Sequence, residues 1–144
     1  MTRNIQPTKG DRVFQPIATF LTKIGISLAG SRLLAVRGRK SGEWRVTPVN
    51  PLTHNGERYL VAPRGHTQWV RNMRVAGGGE LRLGRRTEPF RAVEVPDEDK
   101  PEILRLYLKK WAWEVGRFFE DVTAESSDDR LREIAPGFPV FRIR

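Results

Sequence analysis

Apolar residues recur along this chain first at helical spacing, then in short alternating runs, then at helical spacing again. Val13, Ile17, Phe20, Leu21, Ile24 and Leu28 line one helical face; Pro16 is tolerated near a first turn and Gly30 makes a stop, which predicts a helix over 13–29. Strands are predicted at 32–37, 43–50 and 58–62, and His54-Asn55-Gly56-Glu57 joins the last two with the Asn-Gly pair that favours a hairpin turn. Residues 66–76 then read as a short helix, with Thr67 as N-cap and Gly77-Gly78-Gly79 as its end. Two further strands, 80–84 and 88–95, flank a basic turn at Arg85-Arg86. Asp97 or Asp99 caps a longer helix with Pro101 near its first turn; Leu104, Leu108, Trp111, Val115 and Phe118 stack on one face, widened by Ile103, Tyr107 and Phe119. Residues 121–137 read as loop or a short acidic helix, and 138–143 as a returning strand. Strands in a run with one internal helix and terminal helices describe an α+β protein around a small antiparallel sheet or barrel.

Composition narrows the chemistry. At 144 residues the chain fits one domain with a single core, and 38% apolar content leans on four Trp and seven Phe for burial. Without cysteine there is no disulfide, thiolate nucleophile or thiolate metal site, which suits a reducing cytoplasm. No apolar run reaches the roughly 18 residues of a membrane span, and the stretch 13–30, broken by Pro16 and Lys23, is not expected to be a signal peptide. The net charge of +9 is unevenly placed: residues 1–30 carry +3, residues 31–91 carry +9 and residues 92–144 carry −3. A basic middle segment points to an anionic partner held on one face: nucleic acid, anionic lipid or a phosphorylated cofactor.

Two segments carry candidate chemistry. Gly38-Arg39-Lys40-Ser41-Gly42, followed by Arg45 and Thr47-Pro48, is a glycine-bounded turn with adjacent cations between two strands. Backbone N–H groups in such a turn form an anion nest, Ser41 adds a hydroxyl, Arg39 and Arg45 grip phosphate or carboxylate bidentately, and Lys40 acts as a point charge. The alternative is a solvated basic hairpin tip. Residues 61–73 end a strand, turn through Pro63-Arg64-Gly65 and open a helix beside Arg64. Trp69 would wall a planar ring and Asn72 bond a ring edge; as an ordinary i,i+4 pair, Trp69 and Met73 would instead be core. No Gly-x-Gly-x-x-Gly, Gly-x-Ser-x-Gly or Walker pattern occurs, and His54 and His66 are too few for the usual catalytic zinc site. Asp97-Glu98-Asp99 and Asp128-Asp129 read as helix N-terminal charges rather than metal ligands, so no metal is expected.

In order, Gly38-Arg39-Lys40-Ser41-Gly42, Arg45, Pro48, a strand ending in Val61-Ala62, the turn glycine Gly65 and Trp69-x-x-Asn72 resemble the deazaflavin-dependent nitroreductase family over roughly residues 31–95. Its members are small split β-barrel proteins of actinobacteria, related in fold to FMN-binding flavoreductases. The resemblance implies a cytoplasmic oxidoreductase in which reduced 8-hydroxy-5-deazaflavin, coenzyme F-420, delivers hydride to an unsaturated, nitro or quinone-like small molecule. It also implies a barrel core over 31–95, with 1–30 as a helical segment packed on it and 97–144 as the closing helix and strand. Carried over by residue, Arg39, Lys40, Ser41 and Arg45 would hold the cofactor's phosphate and tail. Thr47, Pro48, Val49 and Asn50 would run along the deazaflavin ring. Ala62, Pro63, Arg64 and Gly65 would form the opposite lip, with Gln68, Trp69 and Asn72 from the short helix. An anionic cofactor tail accounts for the basic face without nucleic acid. The chain departs from the family pattern at Pro63 and His66 and in a shorter loop before Trp69, and its two tyrosines, Tyr59 and Tyr107, match none of the family's cavity tyrosines. His66, Tyr107 and Arg64 are candidate proton donors besides solvent, and Trp111, Trp113 and Phe118 line either a substrate cavity or the core. The N-terminal helix packs on its own barrel or touches anionic membrane peripherally. Relatives of this fold allow monomer or homodimer. The rival readings are an FMN-using or cofactor-sequestering barrel and, further off, a basic nucleic-acid-binding protein.

Overall fold

The computed structural model describes residues 31–119 and 122–144, so the helix expected over 13–29, its fate on barrel or membrane, and the side chain of Trp113 lie outside the described residues. The rest is an α+β protein built on one curled antiparallel sheet. Its strands are β1 (Arg32–Arg37), β2 (Trp44–Val49), β3 (Leu52–His54), β4 (Glu57–Val61), β5 (Gly78–Leu83), β6 (Arg86–Glu94) and β7 (Val140–Ile143), in spatial order β2-β1-β5-β6-β7-β4-β3. Helices α1 (Gln68–Ala76), α2 (Lys100–Val115) and α3 (Asp128–Ile134) complete it, with 3-10 turns at Asp97–Asp99, Gly116–Phe119 and Ala135–Gly137. Among the described residues no helix is long and apolar enough to cross a membrane.

Local sequence explains most boundaries. Asn55 and Gly56 take φ of 51° and 77°, as a tight hairpin turn matching strand twist requires. The hairpin differs from expectation in its first arm. Pro51 follows β2, and a separate three-residue strand, β3, pairs with β4 as Leu52 opposite Tyr59. Pro51 has no N–H to give to a ladder and interrupts the strand there; β2 and β3 lie at opposite edges of the sheet. The triple glycine also divides its labour. Gly77 ends α1 in the left-handed region, with its N–H on Met73 O at 2.8 Å. Gly78 and Gly79 instead open β5, where a Cβ would collide with the backbone oxygens of Phe90 and Ala35 respectively. The basic turn is Gly84-Arg85, one residue earlier than expected, because Gly84 supplies the positive φ and Arg86 already belongs to β6. Residues 121–137 contain α3, whose Ser127 N-cap accepts from Arg130 N–H at 3.1 Å and whose first turn holds Asp128 and Asp129.

Strand alternation builds two cores. One contains Leu34, Val36, Leu60, Ala62, Val70, Met73, Leu81, Phe90, Phe141 and Ile143, on the concave side that α1 packs against. The other joins Leu52, Val61 and Val140 on the opposite face to α2 and α3 through Leu104, Tyr107, Leu108, Trp111, Val115 and Leu131. Trp111 and Phe118 are both core residues of this second layer, as their helical period suggested. Strand β7, which starts 46 positions beyond the end of β6, slots between β6 and β4, with Glu94 opposite Phe141 and Val61 opposite Val140.

Candidate functional site

The loop between β1 and β2 is closed by its own backbone: Gly38 N–H donates to Glu43 O at 2.8 Å and Gly42 N–H to Gly38 O at 2.9 Å. Gly42 supplies φ of 74°. Ser41 Oγ accepts from Glu43 N–H at 3.2 Å. A Cβ on Gly38 would lie 3.1 Å from Ser41 Oγ and 3.5 Å from Arg45 Nε, so glycine leaves a space between these two polar groups. Lys40, Ser41 and Arg45 are exposed, and among the described residues no carboxylate pairs with Lys40 or Arg45.

This loop is docked on the start of α1. Arg39 N–H donates to Asn72 Oδ1 at 3.1 Å, and Arg39 Nη1 donates to Asn72 Oδ1 and to Gln68 Oε1, each at 2.8 Å. The structure therefore brings together two candidate segments more than thirty positions apart. Asn72 is only 4% exposed and spends its carboxamide oxygen on Arg39. Arg39 is correspondingly a strut between loop and helix.

Pairing registers sort the β2 candidates by face. Arg45 lies opposite Val36, Thr47 opposite Leu34 and Val49 opposite Arg32, so these three face the concave side shared with α1. Pro48, opposite Leu33, turns its ring to the other face beside Trp44 and Val46; it is tolerated because β2 is an edge strand. Asn50 holds Ser31 Oγ through its own Oδ1 at 3.0 Å. Trp69 is partly buried against the concave core, 5.8 Å from the Phe141 ring in a tilted pair, while Met73 is fully buried.

The 62–65 turn links β4 to α1. Ala62 N–H donates to Pro139 O at 2.9 Å and Gly65 N–H to Ala62 O at 3.2 Å, with Gly65 at φ of 89°. Arg64 stacks its guanidinium 4.9 Å from the Phe118 ring. His66, missed as a structural element by motif reading, uses both ring nitrogens: Nε2 lies 3.0 Å from Pro136 O and Nδ1 lies 3.1 Å from Arg74 Nη1. Arg74 in turn grips Glu94 bidentately at 2.9 and 2.7 Å, which holds the Glu94 carboxyl below its ordinary range and raises Arg74 above its own. Tyr107, another candidate donor, is buried in the α2 core. The basic loop beside edge strand β2 is thus docked on the first turns of α1, and the 62–65 turn leads into that same helix.

Comparison with known proteins meets this geometry. A family model described as F420H(2)-dependent quinone reductase matches residues 14–118. The structure of an F420-H2 dependent reductase (FDR-A) superposes with TM-score 0.53 at 20% identity, covering 80% of this chain and 94% of that one. A domain-swapped dimer aligns with TM-score 0.57 at 17% identity, covering 95% of this chain and 100% of that chain. The conserved hypothetical protein Rv2991 from Mycobacterium tuberculosis gives TM-score 0.53 at 16% identity, over 98% of this chain and 82% of its own. At these identities the structures establish the split-barrel fold. No curated protein matches the chain in sequence.

Proposed function

The chain belongs to the F420H(2)-dependent quinone reductase family and is an oxidoreductase whose cofactor is coenzyme F-420; from that premise we propose that it reduces a quinone-like, nitro or otherwise unsaturated small molecule in the groove between β2 and α1. When bound, the reduced deazaflavin supplies the hydride, so the protein's work is binding and orientation.

The observation that carries this reading is the meeting of Ser41 and Arg45 at the space that Gly38 leaves open, in a loop that also exposes Lys40, with neither cation paired to a carboxylate among the described residues. That donor set fits a phosphate or carboxylate tail: Arg45 offers a planar fork, Lys40 a compact charge and the loop its backbone polarity. Thr47 and Val49 flank the ring region on the concave face, and Trp69 backs it from α1. Ala62 to Gly65 form the facing rim. Gln68 and Asn72 act through Arg39, holding the basic loop against the helix. Pro48 contributes edge backbone and shape, since its ring lies on the other face. His66 and Arg64 are committed to protein partners and Tyr107 is buried, so the proton that accompanies reduction comes from solvent at the open edge.

Titration with oxidised F-420, followed by cofactor fluorescence with FMN in parallel, tests the reading. Saturable F-420 binding is expected, weakened about tenfold or more by Lys40→Ala or Arg45→Ala, as loss of a charged hydrogen bond implies. Tight FMN binding without F-420 binding would overturn it. Reduction of a quinone series against a nitroaromatic series, each with the same saturating cofactor, then assigns the acceptor class.

A further inference from the structure

His66 occupies a position that neither the groove's charge nor the hydride chemistry uses, yet it is among the most constrained side chains beside the site. It immediately precedes Thr67, the N-cap of α1, and directly follows the 62–65 rim. A backbone carbonyl only accepts and a guanidinium only donates. The contacts to Pro136 O at 3.0 Å and Arg74 Nη1 at 3.1 Å therefore specify the tautomer with the proton on Nε2 and the lone pair on Nδ1. Both anchors are themselves fixed. Arg74 is locked on Glu94, and the 135–137 turn receives buried Lys100 Nζ on Ala135 O at 3.0 Å, with Lys100 paired to Asp97 at 2.7 Å. Between these anchors the rim is held at its start by Ala62 N–H on Pro139 O at 2.9 Å, and the bonds that follow, Gly65 N–H to Ala62 O at 3.2 Å and Thr67 N–H to Gly65 O at 2.9 Å, are short-range turn bonds.

We propose that His66 is a positioning residue: in its Nε2–H tautomer it tethers the 62–65 rim of the cofactor groove, and protonation of Nδ1 breaks the Arg74 arm of that tether and weakens cofactor binding. This rests on the groove assignment above. A proton on Nδ1 turns the Arg74 contact into donor against donor and cation against cation. The charged groups tied to this contact are Arg74 from α1, which touches the ring, and Glu94 from β6, which feels the charge of both His66 and Lys100 from α2, with Lys100 in turn paired to Asp97. Glu94 is engaged by Arg74 through both oxygens and Asp97 by Lys100, while the Pro136 carbonyl keeps its bond in either state. The Arg74 side of the tether is the one that fails.

The test measures F-420 affinity and amide exchange of Gly65 and Thr67 in the full chain, at about pH 8 and about pH 5.5, for wild type, His66→Ala and His66→Gln. A carboxamide can donate to Pro136 O and accept from Arg74 without titrating in this range. At the higher pH, His66→Ala, which loses both ring hydrogen bonds, is expected to bind F-420 about fivefold more weakly, and His66→Gln, which can keep both, within about twofold of wild type. Acidification is expected to cost the wild type a similar factor relative to His66→Gln; titration of the ligand itself is common to both and cancels. Exchange at Gly65 and Thr67 is expected to quicken in parallel in His66→Ala and in acidified wild type, each against His66→Gln at the same pH. Identical pH profiles for wild type and His66→Gln overturn the inference, as does unchanged affinity in His66→Ala while Lys40→Ala still weakens binding. If Lys40→Ala has no effect, the groove assignment fails instead, and exchange at Gly65 without cofactor still decides whether His66 tethers the rim.

Discussion

The two edges of the sheet are treated in opposite ways. At one edge, β3 is only three residues long, Leu52 is buried under α2, and His54 Nε2 lies 3.3 Å from Glu102 on that helix. At the other, β2 runs six residues with Trp44 at 39% and Val46 at 42% exposure and Arg45 in solvent. Open edges invite pairing with other chains, and proteins blunt them with charge and proline. Arg45 and Pro48 do that here, and Arg37 lies over the Trp44 ring at 3.9 Å. Leaving this edge uncovered makes sense where a ligand must lie along it. The difference separates where the fold keeps its stability from where it keeps its chemistry, and substitutions should separate them too.

The sharpest break comes at the sealed side. Trp111 is fully buried among Tyr107, Phe119 and their neighbours, with Phe119 stacked on Phe138 at 4.1 Å. Trp111→Ala is expected to lose about 3–5 kcal/mol of stability by chemical denaturation. F-420 affinity of the molecules that remain folded should stay within about twofold of wild type. A large loss of affinity at matched folded fraction would show that the two regions are coupled. Gly79→Ala probes the join between them: a Cβ there meets Ala35 O, a backbone atom that cannot swing aside. An expected cost of about 1–3 kcal/mol, with affinity falling as β1 shifts, would separate the strand role of Gly79 from the helix-stop role, which would make alanine nearly neutral.

Sequence patterning reached the elements better than their arrangement. Strand β1 falls at Arg32–Arg37 in both readings, and the Asn55-Gly56 turn forms as its dihedral demands required. Strand β3 was not separable because three residues are too short to show alternation. The placement of β7 between β6 and β4 is a long-range pairing decision that no local period encodes. At the site, each motif was visible but their contact was not. The Arg39–Asn72 bonds span 33 positions, and a polar side chain read in sequence offers no sign of whether it meets a ligand or another residue. His66 carried no periodic or motif signal for its tether, because a lone histidine's role is set by what the fold puts against its two nitrogens.

Asn72→Ala sits on the boundary of the comparison. It removes the acceptor for both the Arg39 backbone N–H and its guanidinium, leaving a half-buried donor unsatisfied. The expected stability loss is about 1–2 kcal/mol, accompanied by faster exchange of the Arg39 amide and weaker F-420 binding as the basic loop leaves α1. Gln68→Ala, which removes only an exposed partner of Arg39, should change stability by less than about 0.5 kcal/mol. Comparable losses from both would mean that the loop is not held through Asn72.

The smallest expected effect tests whether charge pairing matters where α1 meets β6. Arg74 hydrogen-bonds Glu94 and holds its carboxyl below the ordinary range; burial opposes this and the Arg74 charge adds to it. A carboxyl depressed in the folded state contributes stability that is present above its unfolded value and disappears as pH falls through the folded value. Both side chains are about a third exposed, 35% and 36%, so solvent screens much of the attraction. About 0.2–1 kcal/mol is the appropriate scale for such a pair. Glu94→Gln should therefore flatten the acid limb of the stability–pH curve by that amount and leave stability near neutral pH lower by the same amount. Because Arg74 also contacts His66, the variant should loosen the rim without a change in His66 itself, read as faster Gly65 exchange at neutral pH. A flattened acid limb with unchanged exchange would place the pair in the scaffold alone and leave Arg74 held in place by its remaining packing.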